Sequence, residues 1–168
     1  MYACVDVHYL PNDEARAACI VFPDPVCDMI AWEGTTLVKG VAPYIPGQFY
    51  LRELPCLKAI LALAPAFDTV FVDSYVQLGS SPGLGQHLYE DLEEKVAVIG
   101  VAKTPFAGAP STQVIRNGTR PLYVTAIGKP LVEAVEMLDQ MHGPYRLPTL
   151  LKRVDSLCRG QVVPRRQS

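Results

Sequence analysis

An α/β fold with a mixed β-sheet flanked by helices is predicted by three features of the chain. Short apolar runs with strand character crowd the first forty residues. After them, helical periodicities alternate with further short apolar runs. Turn signals such as Pro11-Asn12-Asp13 and Pro23-Asp24-Pro25 punctuate the sequence between these segments.

Each element has its own warrant. Tyr2 to Leu10 alternates as a strand does, with Cys4, Asp6 and His8 on one face and Ala3, Val5, Val7 and Tyr9 on the other. Ala17 to Phe22 is a nearly continuous apolar strand. Val26 to Trp32 and Thr35 to Val41 are predicted strands around a hairpin-like break at Glu33-Gly34. Pro43-Tyr44-Ile45-Pro46-Gly47 fits neither helix nor central strand, because its prolines fix φ and remove donors. Leu51, Leu54, Leu57, Leu61 and Ala64 recur at helical spacing up to Pro65, and Thr69 to Val72 forms a short buried strand that ends at Asp73. Pro82-Gly83 opens a helix carrying Leu84, Leu88 and Leu92. Val96 to Val101 and Leu122 to Thr125 are the remaining strands. Pro130 starts a helix with Leu131, Val135 and Leu138, closed by Gly143-Pro144, and a last amphipathic helix turns Leu147, Leu150, Leu151, Val154, Leu157 and Cys158 inward.

With 168 residues, 49% hydrophobic and 19% charged, the chain has the material for one domain with a sizeable core. We assign that domain to residues 1–160 and expect 161–168 to be a flexible tail. No apolar run approaches the ~20 residues needed to span a bilayer, and the N-terminus lacks the basic region of a signal peptide. A cytoplasmic monomer without a membrane partner is the expectation. The five cysteines (Cys4, Cys19, Cys27, Cys56, Cys158) contain no C-x-x-C pair, which argues against zinc. Their odd number argues against a disulfide framework. Cys4, Cys19 and Cys27 read as small buried apolar residues in strand-like runs. The net charge of −2 requires any nucleic-acid surface to be local. Lys152, Arg153, Arg159, Arg165 and Arg166 are one candidate patch; a solvated helix face is an equal reading.

Two carboxylates stand out. Asp6 interrupts an apolar strand and Asp73 ends another, and buried charge requires a partner or a cation. If the two strands are neighbours, Asp6 and Asp73 can share a divalent ion, magnesium or manganese by donor type. Taken alone, each equally caps a turn or pairs with an arginine. Glu53, in Leu51-Arg52-Glu53-Leu54-Pro55, complements the start of its helix. Lys103 alone is an ordinary strand-end lysine.

The ordered set Val5-Asp6-Val7-His8-Tyr9, Pro43 to Gly47, Arg52-Glu53, Val72-Asp73 and Gly100-Val101-Ala102-Lys103 resembles the motifs of endonuclease V. Leu122 to Thr125 and Gly143-Pro144-Tyr145-Arg146-Leu147-Pro148 resemble its later blocks. The resemblance implies an RNase H-like fold and hydrolysis of DNA or RNA near inosine with magnesium, for which manganese can substitute. It makes Asp6 and Asp73 metal-binding aspartates, Glu53 a third active-site carboxylate and metal ligand, and Lys103 a lysine near the cleaved phosphate. It makes Tyr44, Ile45, Pro46 and Gly47 a wedge loop that enters beside a displaced base. The chain also departs from the pattern. Ser74 stands where glycine is usual, Val76 to Pro82 lacks an expected basic stretch, and Ala126-Ile127-Gly128-Lys129-Pro130 has no histidine. His8 replaces a small residue, and Asp6 follows the N-terminus without the usual preceding helix. A nuclease with another specificity, or a non-cleaving binding module, stays open on these grounds.

Overall fold

The computed structural model describes residues 1–161. Arg165 and Arg166 of the candidate patch, and the tail beyond Gln161, lie outside the described residues. Strands β1 (Tyr2–Leu10), β2 (Glu14–Phe22), β3 (Trp32–Lys39), β4 (Thr69–Val72), β7 (Ala97–Ala102), β8 (Thr112–Val114) and β9 (Leu122–Ile127) form one sheet of order β3-β2-β1-β4-β7-β9-β8. β5 (Gln77–Leu78) and β6 (Ser81–Pro82) make a small separate hairpin. β1, β4 and β7 run parallel, while β2, β3, β8 and β9 pair antiparallel, so the sheet is mixed as predicted.

The alternation along β1 assigns its two faces correctly. Ala3 and Val5 join a core with Val70, Val98, Leu57, Ile60 and Leu88, covered by α1 (Tyr50–Leu61) and α2 (Leu84–Asp91). Cys4 joins the opposite core with Phe71, Ile99, Leu138, Leu150 and Val154, covered by α3 (Leu131–Gln140) and α4 (Thr149–Cys158). Among the described residues no helix is long and apolar enough to cross a membrane.

Three sequence expectations need correction. The break at Glu33-Gly34 does not exist: β3 runs through it, with Glu33 opposite Ile20 and Gly34 opposite Cys19, and residues 26–31 form no strand. A Cβ there would lie 2.6 Å from the Trp32 ring, which folds over the strand and would have to shift. Cys27 consequently sits in the preceding turn, half-buried, unlike the buried Cys4 and Cys19. Finally, α1 ends at Leu61, short of Pro65, and its buried face is Glu53, Cys56, Leu57, Ile60 and Leu61, with Leu51 exposed. An acid therefore lies within the apolar stripe.

Candidate active site

The parallel register places Val5 of β1 opposite Val72 of β4, so Asp6 and Asp73 leave adjacent strands side by side. Continuing the alternation from Cys4 and Phe71, both carboxylates belong to the sheet face that α4 covers. They line a cleft with Lys103, which follows β7, and with Val101, Leu151 and Val154. The Lys103 ammonium donates to Asp73 Oδ2 at 2.5 Å. Burial pulls the lysine's pKa down, but the hydrogen bond and charge of Asp73, with Asp6 and Asp155 beyond, hold it above its ordinary value. Asp6 Oδ1 accepts the Val7 amide at 2.8 Å. Burial pushes its pKa to about 6, against the Val7 bond, and the charges of Asp73 and Asp155 add to the rise.

Glu53 reaches the same site from α1, on the other face of the sheet. It is 5% exposed, and its Oε2 accepts the Tyr9 hydroxyl at 2.9 Å. Burial raises its pKa to about 8; the Tyr9 bond opposes this, while Asp6 and Asp73 push further upward. Burial and the adjoining Glu53 hold the Tyr9 phenol well above its ordinary value, so it stays a donor. The Arg52 guanidinium carbon lies 3.8 Å from the centroid of the Tyr9 ring, stacked over it.

A fourth carboxylate was not among the sequence candidates. Asp155 on α4 comes so close to Asp6 that their oxygens and the Cys158 sulfur all lie within 4.8 Å of one another. The signal was present in muted form: Asp155 stands one turn from both Leu151 and Cys158, at the border of the inward stripe of α4. Cys158 donates its thiol to the Asp155 carbonyl at 3.1 Å, and in the metal-free protein burial pushes its pKa to about 12. The other donors are hard carboxylate oxygens. Among the described residues Asp6 and Glu53 have no cationic hydrogen-bond partner, while Asp155 holds Arg159 at 2.9 Å. Converging, mutually repelling carboxylates suit a divalent cation of the magnesium or manganese type.

The Pro43–Gly47 segment is an exposed turn, closed by the Gln48 amide on the Ile45 carbonyl at 3.0 Å, with Gly47 at φ +79°. Tyr44 is 59% exposed and packs on Phe49 (ring centroids 6.2 Å apart). Phe49 in turn meets Tyr9 (6.5 Å), so aromatic rings join the loop to Glu53. After Asp73 the chain is held by close packing. A Cβ on Gly100 would lie 2.4 Å from the Ser74 carbonyl and 2.5 Å from Thr125 Oγ1, which itself accepts the Val76 amide. Gly100→Ala is expected to cost about 2–3 kcal/mol and to displace Asp73; denaturant unfolding that shifts by under about 0.5 kcal/mol would contradict this packing.

Other sequence expectations separate from the site. β9 runs antiparallel to β7, with Ile127 opposite Val98, so Gly128 and Lys129 lie at the far end of the sheet from Asp73, where Lys129 pairs with Glu133 at 3.6 Å. That stretch places neither histidine nor lysine near the carboxylates. Two members of the basic patch are engaged within the fold: Arg153 forks onto Glu33 at 2.9 and 3.2 Å and Arg159 holds Asp155. His8 is half-buried opposite Arg16 and makes no hydrogen bond to a described residue. His87 stacks on Tyr50 and His142 meets Thr149 Oγ1 at 3.0 Å, both as packing groups.

Comparison with known proteins places this arrangement. The family model described as Endonuclease V matches residues 1–129. Endonuclease V of Streptomyces avermitilis is 30% identical, the alignment covering 92% of this chain and 77% of the relative. The crystal structure of the Streptomyces avermitilis protein superposes with a TM-score of 0.79 at 26% identity, covering 95% and 79% of the two chains. Ciona intestinalis endonuclease V, solved in complex with a 24mer DNA containing an inosine followed by a ribo-adenosine, gives 0.79 at 19% identity, covering 95% and 84%. The fold is the RNase H-like mixed sheet that the motifs implied. With the motifs in order along the chain and their carboxylates gathered at one end of that sheet, this protein belongs to the endonuclease V family.

Proposed function

We propose that the chain is a magnesium-dependent endonuclease, with manganese as a substitute, that hydrolyses a phosphodiester bond of DNA or RNA near inosine. The observation that carries this is the meeting of Asp6 with Asp155, and with Asp73 and Lys103 in one cleft, where the buried Glu53 feels the charges of Asp6 and Asp73. Asp6, Asp73 and Asp155 would hold the ion and Glu53 would complete the set. The ion would supply Lewis-acid polarisation of the phosphoryl oxygens and a lowered pKa for attacking water.

The chain's own groups do the rest. The Tyr9 hydroxyl, donating to Oε2, fixes the orientation of the Glu53 carboxyl. Lys103 can turn from Asp73 toward a phosphoryl oxygen and offset developing negative charge. The exposed Tyr44 loop fits insertion beside a displaced base, as a nuclease selective for one base requires. The Ciona protein was solved with inosine-containing DNA, which supports the choice of base.

The direct test uses end-labelled oligonucleotides with a single inosine, as DNA and as RNA, beside adenosine controls. Cleavage near inosine with magnesium, lost in EDTA, is expected; equal cleavage of the inosine strands and their adenosine controls would select a nuclease of different specificity. That second reading draws on the segment 76–82, which forms the β5–β6 hairpin without a basic residue. No cleavage with either metal would overturn both.

A further inference from the structure

The segment joining α3 to α4 is anchored far more firmly than a surface loop requires. Arg116 is buried, and its guanidinium donates to the carbonyls of Asp139 (3.4 Å), Met141, Gly143 (3.3 Å), Tyr145 (3.2 Å) and Arg146 (3.4 Å). Burial draws its pKa below the usual arginine value. A desolvated cation devoted to backbone carbonyls is a costly way to hold a loop, and it fixes the loop's shape. Arg146 then locks the loop to the site: it donates to the carbonyls of Lys103 at 2.5 Å and Pro121 at 2.6 Å.

The side chain this frame displays is Tyr145, which is 63% exposed. The Lys152 ammonium lies 5.1 Å from its ring centroid, and among the described residues no carboxylate pairs with that lysine. Two residues beyond Tyr145, Leu147 lines the cleft with Asp73 and Lys103. In the sheet order β1-β4-β7, the exposed Tyr44 connects through Phe49 and Tyr9 to the β1 side, whereas Tyr145 is tied to the β7 side. The carboxylates thus lie between two displayed tyrosines.

We propose that Tyr145 and Lys152 form a second contact for the nucleic-acid strand. The ring stacks on an unpaired base and the ammonium meets the adjoining phosphate, on the Lys103 side of the cleft. A rigid aromatic flanked by a cation matches the alternation of base and phosphate in a single strand, and every base offers a π-face, so the contact tolerates any sequence. This deepens the nuclease reading and rests on it.

The experiment uses the full chain carrying Asp73→Asn, which removes one of the converging charges and blocks turnover. It is titrated with fluorescein-labelled single strands of roughly ten nucleotides, DNA and RNA, and followed by anisotropy. Adding Tyr145→Ala is expected to weaken binding about tenfold, while Tyr145→Trp binds at least as well as the parent. Lys152→Gln should reduce the slope of log affinity against log salt by about 0.7. Equal affinity of parent and Tyr145→Ala would overturn the inference while leaving the nuclease reading intact. So would an equal loss in Tyr145→Ala and Tyr145→Trp, because stacking would then not be the cause. A parent that binds neither strand would overturn the nuclease reading, and this contact with it.

Discussion

Asp6→Asn is expected to abolish cleavage and, in the metal-free protein at pH 8, to raise the melting temperature. The amide is isosteric with the carboxylate and keeps an oxygen for the Val7 N–H. What it removes is a negative charge set against Asp73 and Asp155 in a site where burial already disfavours ionisation. A loss of about a thousandfold or more in rate is expected for a group that holds the ion and shapes its charge. A stability gain of about 1–2 kcal/mol follows from relieving the like-charge contact. That corresponds to roughly 2–8 °C for a protein of this size. Cleavage within tenfold of the parent would take Asp6 out of the metal set. A fall in melting temperature together with activity would make it a structural residue.

The second large effect is on stability against pH. Folding raises Asp6 from an ordinary 3.8 to about 6 and Glu53 from 4.5 to about 8, in both cases chiefly through burial. The folded state therefore binds protons more tightly than the unfolded chain. The stabilisation from this source is complete below pH 4, is lost as pH rises through 6 for Asp6, and is lost through 8 for Glu53. At about 1.4 kcal/mol per pH unit, the metal-free protein loses on the order of 3–5 kcal/mol between pH 5 and 8.5 from Glu53. That is roughly 10 °C in melting temperature. Glu53→Gln should flatten the profile. Magnesium or manganese added at pH 8 should restore stability by binding the ionised carboxylates of the folded state alone. Calorimetry on EDTA-treated protein decides it: a melting temperature flat or rising over that window would contradict the buried, unpaired state of Glu53.

Much of the site was legible because period-two alternation is strict. Asp6 could be placed on a face of β1 with Cys4, and Asp73 and Lys103 at strand ends, from patterning alone. Parallel neighbours then brought them together. Glu53 was legible only through the family's motifs. An acid early in a helix already has an explanation, and its partner Tyr9 lies on the β1 face opposite Asp6. Asp155 was hidden because an acid bordering an amphipathic stripe is ordinary until α4 is docked on β1. That residues 126–130 lie away from the carboxylates was hidden because sequence does not fix the direction of β9. The Glu33-Gly34 break was inferred because glycine serves equally as a turn residue and as room for the Trp32 ring.

The candidate site's carboxylates come from the first strand, the first helix, the end of the fourth strand and the last helix, and α4 packs directly on β1 and β2. Asp6 and Asp155 belong to elements at opposite ends of the order, β1 and α4, and meet only through tertiary packing. Without α4 docked, Glu53, Asp73 and Lys103 keep their places on earlier elements, but the cleft loses the wall formed by Leu151 and Val154. The candidate site therefore exists only in the completed fold, because one wall of its cleft and one of its carboxylates belong to the last helix.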